Sequence, residues 1–332
     1  MDKLLSIVIT CFNRKEFLLD AVKSAISQSV SRDTYDIIVI KNFSEERIDT
    51  YLAENAIINV HAENGTTGSW FKIAANVVNT KYISFLDDDD IFYPDKVAII
   101  LSILNLYPNS NFIHNRSERR GFARLNLDFI PNKVRIIDDS SVTSFRNSLK
   151  QNFYFNLSSI TIRKDLITEH LDFIQETNHG TDIVMYAASQ LSDGIRIQYD
   201  EFLTFYRVHT DSHANYVQRN QQIFEETKRK VLPYYIKNWE LISNFLGDVP
   251  MGLYASLRLI STKIWINIVS DHIVYRLSPE EVFKGLKYFY YYPVILFFIT
   301  IYLFDSVSHR SIKKLYFLFI FSRIGSRIRG QI

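Results

Sequence analysis

The first hundred residues alternate short apolar runs with longer amphipathic ones, and this alternation limits the fold more than any other feature of the sequence. Alternation of this kind is typical of βαβ units, in which helices cover a largely parallel sheet. Four apolar runs predict strands, at 4–10, 35–40, 56–60 and 82–86. Three amphipathic runs predict helices, at 15–28, 45–55 and 70–79. We therefore expect an α/β domain whose ligand site lies at the carboxyl ends of the strands.

The fourth predicted strand runs directly into Asp87, Asp88, Asp89 and Asp90. Carboxylates are hard oxygen ligands that suit Mg²⁺ or Mn²⁺. Because residues two apart on an extended segment point the same way, we expect Asp87 and Asp89 to share one ligand while Asp88 points elsewhere. A solvated acidic turn is the alternative, but repulsion among adjacent acids destabilises such a turn unless a cation offsets it. The run therefore predicts a metal site.

Two segments resemble a known family. Residues 7–14 (IVITCFNR) resemble the opening strand and turn of the family 2 glycosyltransferases, and residues 85–96 (FLDDDDIFYPDK) are similar to their metal-motif segment. The resemblance covers residues 4–215. It implies a GT-A-type, Rossmann-like mixed sheet flanked by helices. It also implies inverting transfer of a sugar from a nucleotide-sugar donor, a UDP- or GDP-sugar, with Mn²⁺ or Mg²⁺ as cofactor.

On the donor side, the resemblance suggests Thr10 and Asn13 near the nucleoside, with the acidic run serving ribose, diphosphate and metal. The family has two acids after its second strand, one of which contacts the base, whereas this sequence has Asn42 within Lys-Asn-Phe-Ser. The Asn42 amide can still hydrogen-bond a base edge. Lys72 is either a diphosphate contact or an exposed helical lysine. The expected donor-binding residues are Thr10, Asn13, Arg14, Asn42, Lys72, Asp87, Asp88 and Arg207, and the expected metal ligands are Asp89 and His209.

The acceptor side needs a base within hydrogen-bond reach of the attacking hydroxyl. Residues 180–186 (GTDIVMY) resemble the family element that carries this base, with Thr181 in place of a glutamate, so Asp182 is the candidate. The alternative is that Asp182 or Thr181 only caps a helix. Arg207 and His209 share one face of a predicted strand end, where Arg can bind phosphate and His can ligate metal or contact phosphate. A structural histidine is the alternative.

The C-terminal fifty residues differ from the rest. Residues 283–332 hold eight Lys or Arg and one acid, although the whole chain carries a formal charge of only +2, which argues against a nucleic-acid binder. Residues 288–304 form an uncharged apolar run, interrupted by Pro293. Three alternatives are open for this run: a buried helical subdomain, a monotopic anchor or one membrane span. The flanking basic residues favour the anchor, on the cytoplasmic face of a membrane.

The sequence thus predicts three regions: a catalytic domain at 1–215, a helical extension at 216–282 and a membrane-associating tail at 283–332. The expected acceptor is a glycan or a polyprenyl-linked glycan near the membrane surface. A catalytically degenerate donor-binding scaffold in a glycan-assembly complex is the alternative function. Cys11 is the only cysteine, so no intrachain disulfide and no cysteine zinc cluster can form.

Overall fold

The computed structural model describes residues 3–63, 65–118, 128–137, 141–150, 156–207, 221–270 and 273–305. The chain divides into two compact units. The sheet unit comprises Met1–Asp138 and Asn152–Thr210, and the helical unit comprises Asp139–Gln151 and Asp211–Ile332. The predicted boundaries at 215 and 282 remain predictions.

The sheet unit is built on one mixed sheet. Its strands are β1 (Leu5–Cys11), β2 (Tyr35–Lys41), β3 (Ile58–His61), β4 (Tyr82–Asp87), β5 (Ile91–Phe92), β6 (Ser110–Glu118), β7 (Val134–Ile136), β8 (Ile160–Arg163) and β9 (Ile195–Phe205). The order is β3-β2-β1-β4-β8-β6-β9-β5, and β7 pairs with β9. The first four strands are parallel, and β8 is antiparallel to both its neighbours. The predicted mixed α/β sheet is confirmed.

Helices flank this sheet: α1 (Leu18–Ile26), α2 (Glu46–Glu54), α3 (Thr67–Val77), α4 (Lys96–Leu106), α6 (Asp165–Glu169), α7 (Leu171–Ile174) and α8 (Thr181–Ser189). The apolar spacing of α1 puts Leu18, Ala21, Val22 and Ala25 into the core, as predicted. Strands β1 and β2 are buried almost throughout because helices cover both faces, which explains their continuous apolar sequence. The loops after β1, β2 and β4 therefore stand on a rigid base.

Two predictions about the second half of this unit were inexact. The sequence predicts one helix at 165–173, whereas the structure divides this segment into α6 and α7 at His170. The sequence also predicts a strand at 202–208, but the observed strand begins earlier, at Ile195, because β9 pairs along β6 and β7. These long-range pairings extend the strand through Asp200 and Glu201, two acids with little strand propensity of their own.

The helical unit contains α5 (Val142–Lys150), α9 (Gln221–Leu246), α10 (Pro250–Val269), α11 (Pro279–Lys287) and α12 (Ile295–Asp305). Helix α10 is buried along nearly its whole length and packs against α9 and α12. The Arg258 guanidinium of α10 lies 5.0 Å from the Trp239 ring centre and 5.3 Å from that of Tyr292. Such cation–π contacts let a charged side chain sit inside an aromatic core.

The apolar run at 288–304 is not one continuous helix. Helix α12 begins two residues after Pro293, and its Ile295, Phe298 and Ile299 are buried. Tyr292 is also buried, in the aromatic core around Arg258. Among the residues that the structure describes, no helix combines the length and apolar character that crossing a bilayer requires.

Candidate active site

The parallel register brings the ends of three strands to one edge. Thr10 on β1 is the register partner of Asp87 on β4, and Cys11 is the partner of Lys41 on β2. The loops that follow these strands therefore start side by side, as expected for a ligand site at the carboxyl ends.

The loops after β1 and β2 are joined by their amides. Asn13 adopts a left-handed backbone conformation (φ 56°), which asparagine tolerates better than most residues. Its backbone N–H donates to Asn42 Oδ1 at 2.8 Å, and the Asn42 amide donates to Asn13 Oδ1 at 2.9 Å. The neighbouring Lys41 is buried and forms an ion pair with Asp49 at 2.7 Å. Asn13 and Asn42, which are predicted to contact the nucleoside and its base, thus lie together. The Lys41 ammonium is instead occupied by its ion pair with Asp49.

The four aspartates after β4 divide in an unexpected way. Oxygens of Asp87, Asp89 and Asp90 all lie within 4.8 Å of one another. Asp88 points away from them, as the extended-strand argument predicted, but Asp90 joins the group. A tight turn produces this arrangement, since the Asp90 N–H donates to the Asp87 carbonyl at 3.2 Å. On an extended segment Asp90 would point the same way as Asp88, so only the turn brings it to the cluster.

Asp88 instead binds the loop after β1. The Arg14 guanidinium forms a two-pronged ion pair with its carboxylate, and the Cys11 thiol donates to Asp88 Oδ2 at 3.1 Å. Arg14 also reaches Asp89 at 2.8 Å. Burial raises the pKa of the Cys11 thiol and the Asp88 charge raises it further, so this cysteine stays protonated and packed. Asp88, predicted to bind the donor, here positions Arg14.

The remaining carboxyls are partly buried at Asp87 and Asp89 and fully buried at Asp90, and burial disfavours their charged forms. Burial raises the pKa of Asp87 well above its ordinary value, and the charges of Asp90, Asp89 and Asp88 raise it further. Burial and the Asp89 charge raise the pKa of Asp90 to about 7. Two adjacent carboxylates sharing a site repel each other in this manner. A bound cation would remove the repulsion.

The donor set fits a hard divalent cation. Asp90 Oδ1 accepts the Arg207 N–H at 3.0 Å, whereas Asp90 Oδ2 is buried with no hydrogen-bond partner among the described residues. Buried polar atoms are normally satisfied, so an orphaned carboxylate oxygen next to two further carboxylates marks a place for a cation. Asp87, Asp89 and Asp90 are the residues that would hold it.

A short 3₁₀ turn, Leu157–Ser159, supports this acidic cluster through a hydrogen bond. The Asp87 N–H donates to Ser158 Oγ at 2.9 Å. The Ser158 carbonyl accepts Lys96 Nζ at 2.6 Å and the Thr204 hydroxyl at 2.9 Å. Ser158 and Ser159 are fully buried, which suits a supporting role for this turn. Lys96, whose ammonium also lies 3.7 Å from the centre of the Phe92 ring, connects the turn to α4.

The same turn holds the candidate base. Asn156, which precedes it, has a left-handed backbone (φ 68°), and its N–H donates to Asp182 Oδ2 at 3.1 Å. Asp182 Oδ1 accepts the Ile183 N–H at 2.9 Å at the start of α8. Burial raises the pKa of Asp182 to about 6, and the backbone hydrogen bonds oppose that rise. Asp182 thus lies at the start of a helix, and no neighbouring carboxylate in the described part of the chain contributes to the rise of its pKa.

Three other predicted site residues are Arg207, Lys72 and His209. The Arg207 backbone contacts Asp90, but its guanidinium lies 2.9 Å from Asp20 and over the Phe17 ring. Lys72 is exposed on α3, which suits the reading of an ordinary helical lysine. His209 lies outside the described residues, so its role as a metal ligand stays a prediction. The sequence around Asn156 did not indicate that its backbone N–H would hold Asp182, because the two residues are 26 positions apart in the chain.

Comparison with known proteins shows which families and folds the chain is similar to. Residues 6–153 match the family model described as Glycosyl transferase family 2. This part of the chain is therefore similar to the family 2 glycosyltransferases. An uncharacterized glycosyltransferase of Rickettsia prowazekii (strain Madrid E) is 30% identical over 112 residues, which are 33% of this chain and 35% of that protein. One from Haemophilus influenzae is 26% identical over 138 residues, 40% of this chain and 46% of that protein.

Each alignment thus spans less than half of the curated relative. Solved structures extend the likeness over nearly the whole chain. Staphylococcus aureus TarS shares 11% identity at a TM-score of 0.53, covering 94% of this chain and 55% of TarS. The mannosyltransferase PcManGT from Pyrobaculum calidifontis, in complex with GDP-Man and Mn²⁺, shares 10% at 0.54, covering 93% and 83%. At such identities the likeness concerns the fold, and it supports the GT-A fold predicted from the sequence.

Proposed function

We propose that this chain transfers a sugar from a nucleotide-sugar, a UDP- or GDP-sugar, to a hydroxyl group with inversion at the anomeric carbon. One observation carries the proposal. A single turn, residues 156–159, binds the acidic cluster through Ser158 Oγ and the candidate base through the Asn156 N–H. Donor chemistry and acceptor chemistry thus have a common rigid support, which a reaction between two bound molecules requires.

On the donor side, Asp87, Asp89 and Asp90 would hold Mn²⁺ or Mg²⁺. When bound, the ion offsets the negative charge that grows on the departing diphosphate. Arg14 adds positive charge beside Asp89, and the Asn13–Asn42 pair offers amide groups to the nucleoside. The match of residues 6–153 to the family model and the paired strand ends support this assignment.

On the acceptor side, Asp182 takes the proton of the attacking hydroxyl while the new bond forms at the anomeric carbon and the bond to the diphosphate breaks. With a pKa of about 6, this carboxyl is ionised near neutral pH yet basic enough to accept a proton. A lipid phosphate is already a nucleophile and needs no base. A buried carboxyl therefore favours a sugar hydroxyl, on a glycan or a polyprenyl-linked glycan, as the acceptor.

Donor turnover across a panel of nucleotide-sugars tests the function. Consumption of one donor, dependent on Mn²⁺ or Mg²⁺ and lost in Asp89→Ala, is the expected result. Glu54, an exposed acid at the end of α2, provides the matched control Glu54→Ala, which should retain wild-type turnover. Metal-dependent binding without turnover, even with glycan acceptors present, would instead indicate a donor-binding scaffold. Failure to bind any donor would refute the proposal.

A further inference from the structure

Helix α11 packs onto the helical unit through one narrow side. A Cβ added at Gly285 would lie 2.4 Å from Ile299 Cδ1 and 3.4 Å from Ile295 Cγ1, so glycine allows α11 to approach α12 closely. Glu281 on the same helix caps the backbone of Ser278 and forms an ion pair with Lys263 at 2.7 Å. The helix is therefore fixed in rotation about its own axis.

This fixed rotation turns large apolar side chains toward solvent. Phe283 is 66% exposed and Leu286 is 48% exposed, three residues apart and so on one side of the helix. Just beyond the helix, Phe289 and Tyr290 are 41% and 40% exposed. We call Phe283, Leu286, Phe289 and Tyr290 the α11 face. A contiguous exposed apolar surface of this kind marks an interaction site far more often than a scattered single residue does.

The charges around the α11 face are arranged unevenly. Lys284 and Lys287 lie in the last turn of α11, beside the apolar residues, and Lys287 is exposed. The acids lie at the opposite end, where Glu281 is held by Lys263 and Glu280 is exposed. Asp248 also acts on Lys287 from outside the helix. The apolar stripe with basic residues along its end is the pattern of a helix that lies in an anionic interface.

We propose that the α11 face docks on the surface of an anionic lipid bilayer, with α11 lying in the plane of the membrane. Phe283, Leu286 and Phe289 enter the headgroup boundary, Tyr290 lies at the level of the headgroups, and Lys284 and Lys287 contact lipid phosphates. A helix of 9 residues spans roughly 14 Å, which suits such an interfacial position. The proposal places the membrane contact on α11, independently of the transfer chemistry.

The charge pattern favours a bilayer over a second copy of the chain. A symmetric interface would bring Lys287 and its neighbours close to the same residues of the partner, and like charges in close contact oppose association. An anionic surface attracts them, by about fivefold in partitioning for each lysine near the membrane. Aromatic residues at the edge of the apolar stripe also suit the headgroup region.

Site-specific labelling tests the face itself. Cys11 is the only cysteine and is buried, so Leu286→Cys in the full chain introduces one accessible thiol for an environment-sensitive dye. Leu106→Cys, at a 51% exposed position on α4, is the matched control. With phosphatidylcholine vesicles containing about 30% phosphatidylglycerol, dye emission at 286 should rise severalfold and shift to the blue, whereas the control stays unchanged. No change at 286 would overturn the proposal.

Cosedimentation with the same vesicles gives an independent measure. Phe283→Glu combined with Leu286→Glu should lower the bound fraction at least tenfold, and Lys284→Gln combined with Lys287→Gln should lower it less, only on anionic vesicles. Leu106→Glu should bind like wild type. Equal binding of the Phe283/Leu286 variant would overturn the proposal. A wild-type dimer that becomes monomeric in this variant without lipid would overturn it too, by assigning the face to a second copy.

Discussion

Two carboxyl sites in the sheet unit have raised pKa values for different reasons. In the acidic cluster after β4, burial and mutual repulsion act together on Asp87 and Asp90. At the start of α8, burial alone raises the pKa of Asp182, and backbone N–H donors oppose that rise. The first site gains from a cation that removes the repulsion. The second is a single group that gains or loses one proton near neutrality, as a general base must.

The strongest test of this difference between the two sites is to remove the candidate base, Asp182. Asp182→Asn should lower donor consumption by about 10²–10⁴-fold, because general acid–base catalysis contributes roughly that much. Donor and Mn²⁺ affinities, measured by calorimetry, should stay within about twofold of wild type. Asp172→Asn, at an exposed position on α7, is the control. Unchanged turnover in Asp182→Asn would remove the residue from the mechanism.

The second prediction separates two neighbours in the acidic run. Asp90→Asn removes a candidate ligand and should weaken Mn²⁺ binding more than the 10–100-fold typical of outer-shell changes. Asp88→Asn should have the smaller effect, since Asp88 contacts Arg14 and Cys11 instead. Calorimetric titration with Mn²⁺ in the presence of the bound nucleoside diphosphate measures both. The reverse order of effects would contradict the assignment of Asp90.

The third prediction concerns pH. Donor consumption should rise with pH and level off above about 6, because only the ionised Asp182 accepts a proton. Since the folded pKa exceeds the ordinary 3.8, the folded chain keeps a proton that the unfolded chain has released between about pH 4 and 6. The free energy of unfolding therefore falls as pH rises through this window, by up to about 3 kcal/mol from this group.

Denaturant unfolding at pH 4 and pH 7 checks that sign. The free energy of unfolding of Asp182→Asn minus that of wild type should be more positive at pH 7 than at pH 4. The wild type loses stability when Asp182 releases its proton, whereas the asparagine has no such proton to release. Asp172→Asn again serves as the control. A constant stability difference between Asp182→Asn and wild type at both pH values would mean that Asp182 titrates normally.

The smallest expected effect concerns the turn that joins the two sites. Ser158→Ala removes the acceptor of the Asp87 N–H and should lower the free energy of unfolding by about 1–3 kcal/mol, with weaker Mn²⁺ binding. The neighbouring Ser159 donates to the Asn156 carbonyl at 2.6 Å, so Ser159→Ala tests stability without touching the cluster. Equal Mn²⁺ affinities in the two variants would show that Ser158 does not position the metal site.

Local pattern was sufficient for much of the sheet unit. The parallel strands are buried on both faces and therefore appear as continuous apolar runs, and the helices between them show their apolar spacing. Residues 180–186 also predict a helix start, and Asp182 does lie in the first turn of α8. Irregular elements were harder, since β9 acquires its first residues as a strand from pairing with β6 and β7.

The sequence by itself determined the α/β class, the acidic run after β4 and the presence of a carboxyl at the start of α8. Tertiary structure decided which aspartates converge, because Arg14 withdraws Asp88 while a tight turn brings in Asp90. It also decided that Tyr292 and Ile295 are core residues and that Phe283 faces solvent. The physical reason is the same in each case. Local pattern follows from the backbone repeat, whereas the partner of a charged or apolar side chain comes from residues far away in the chain.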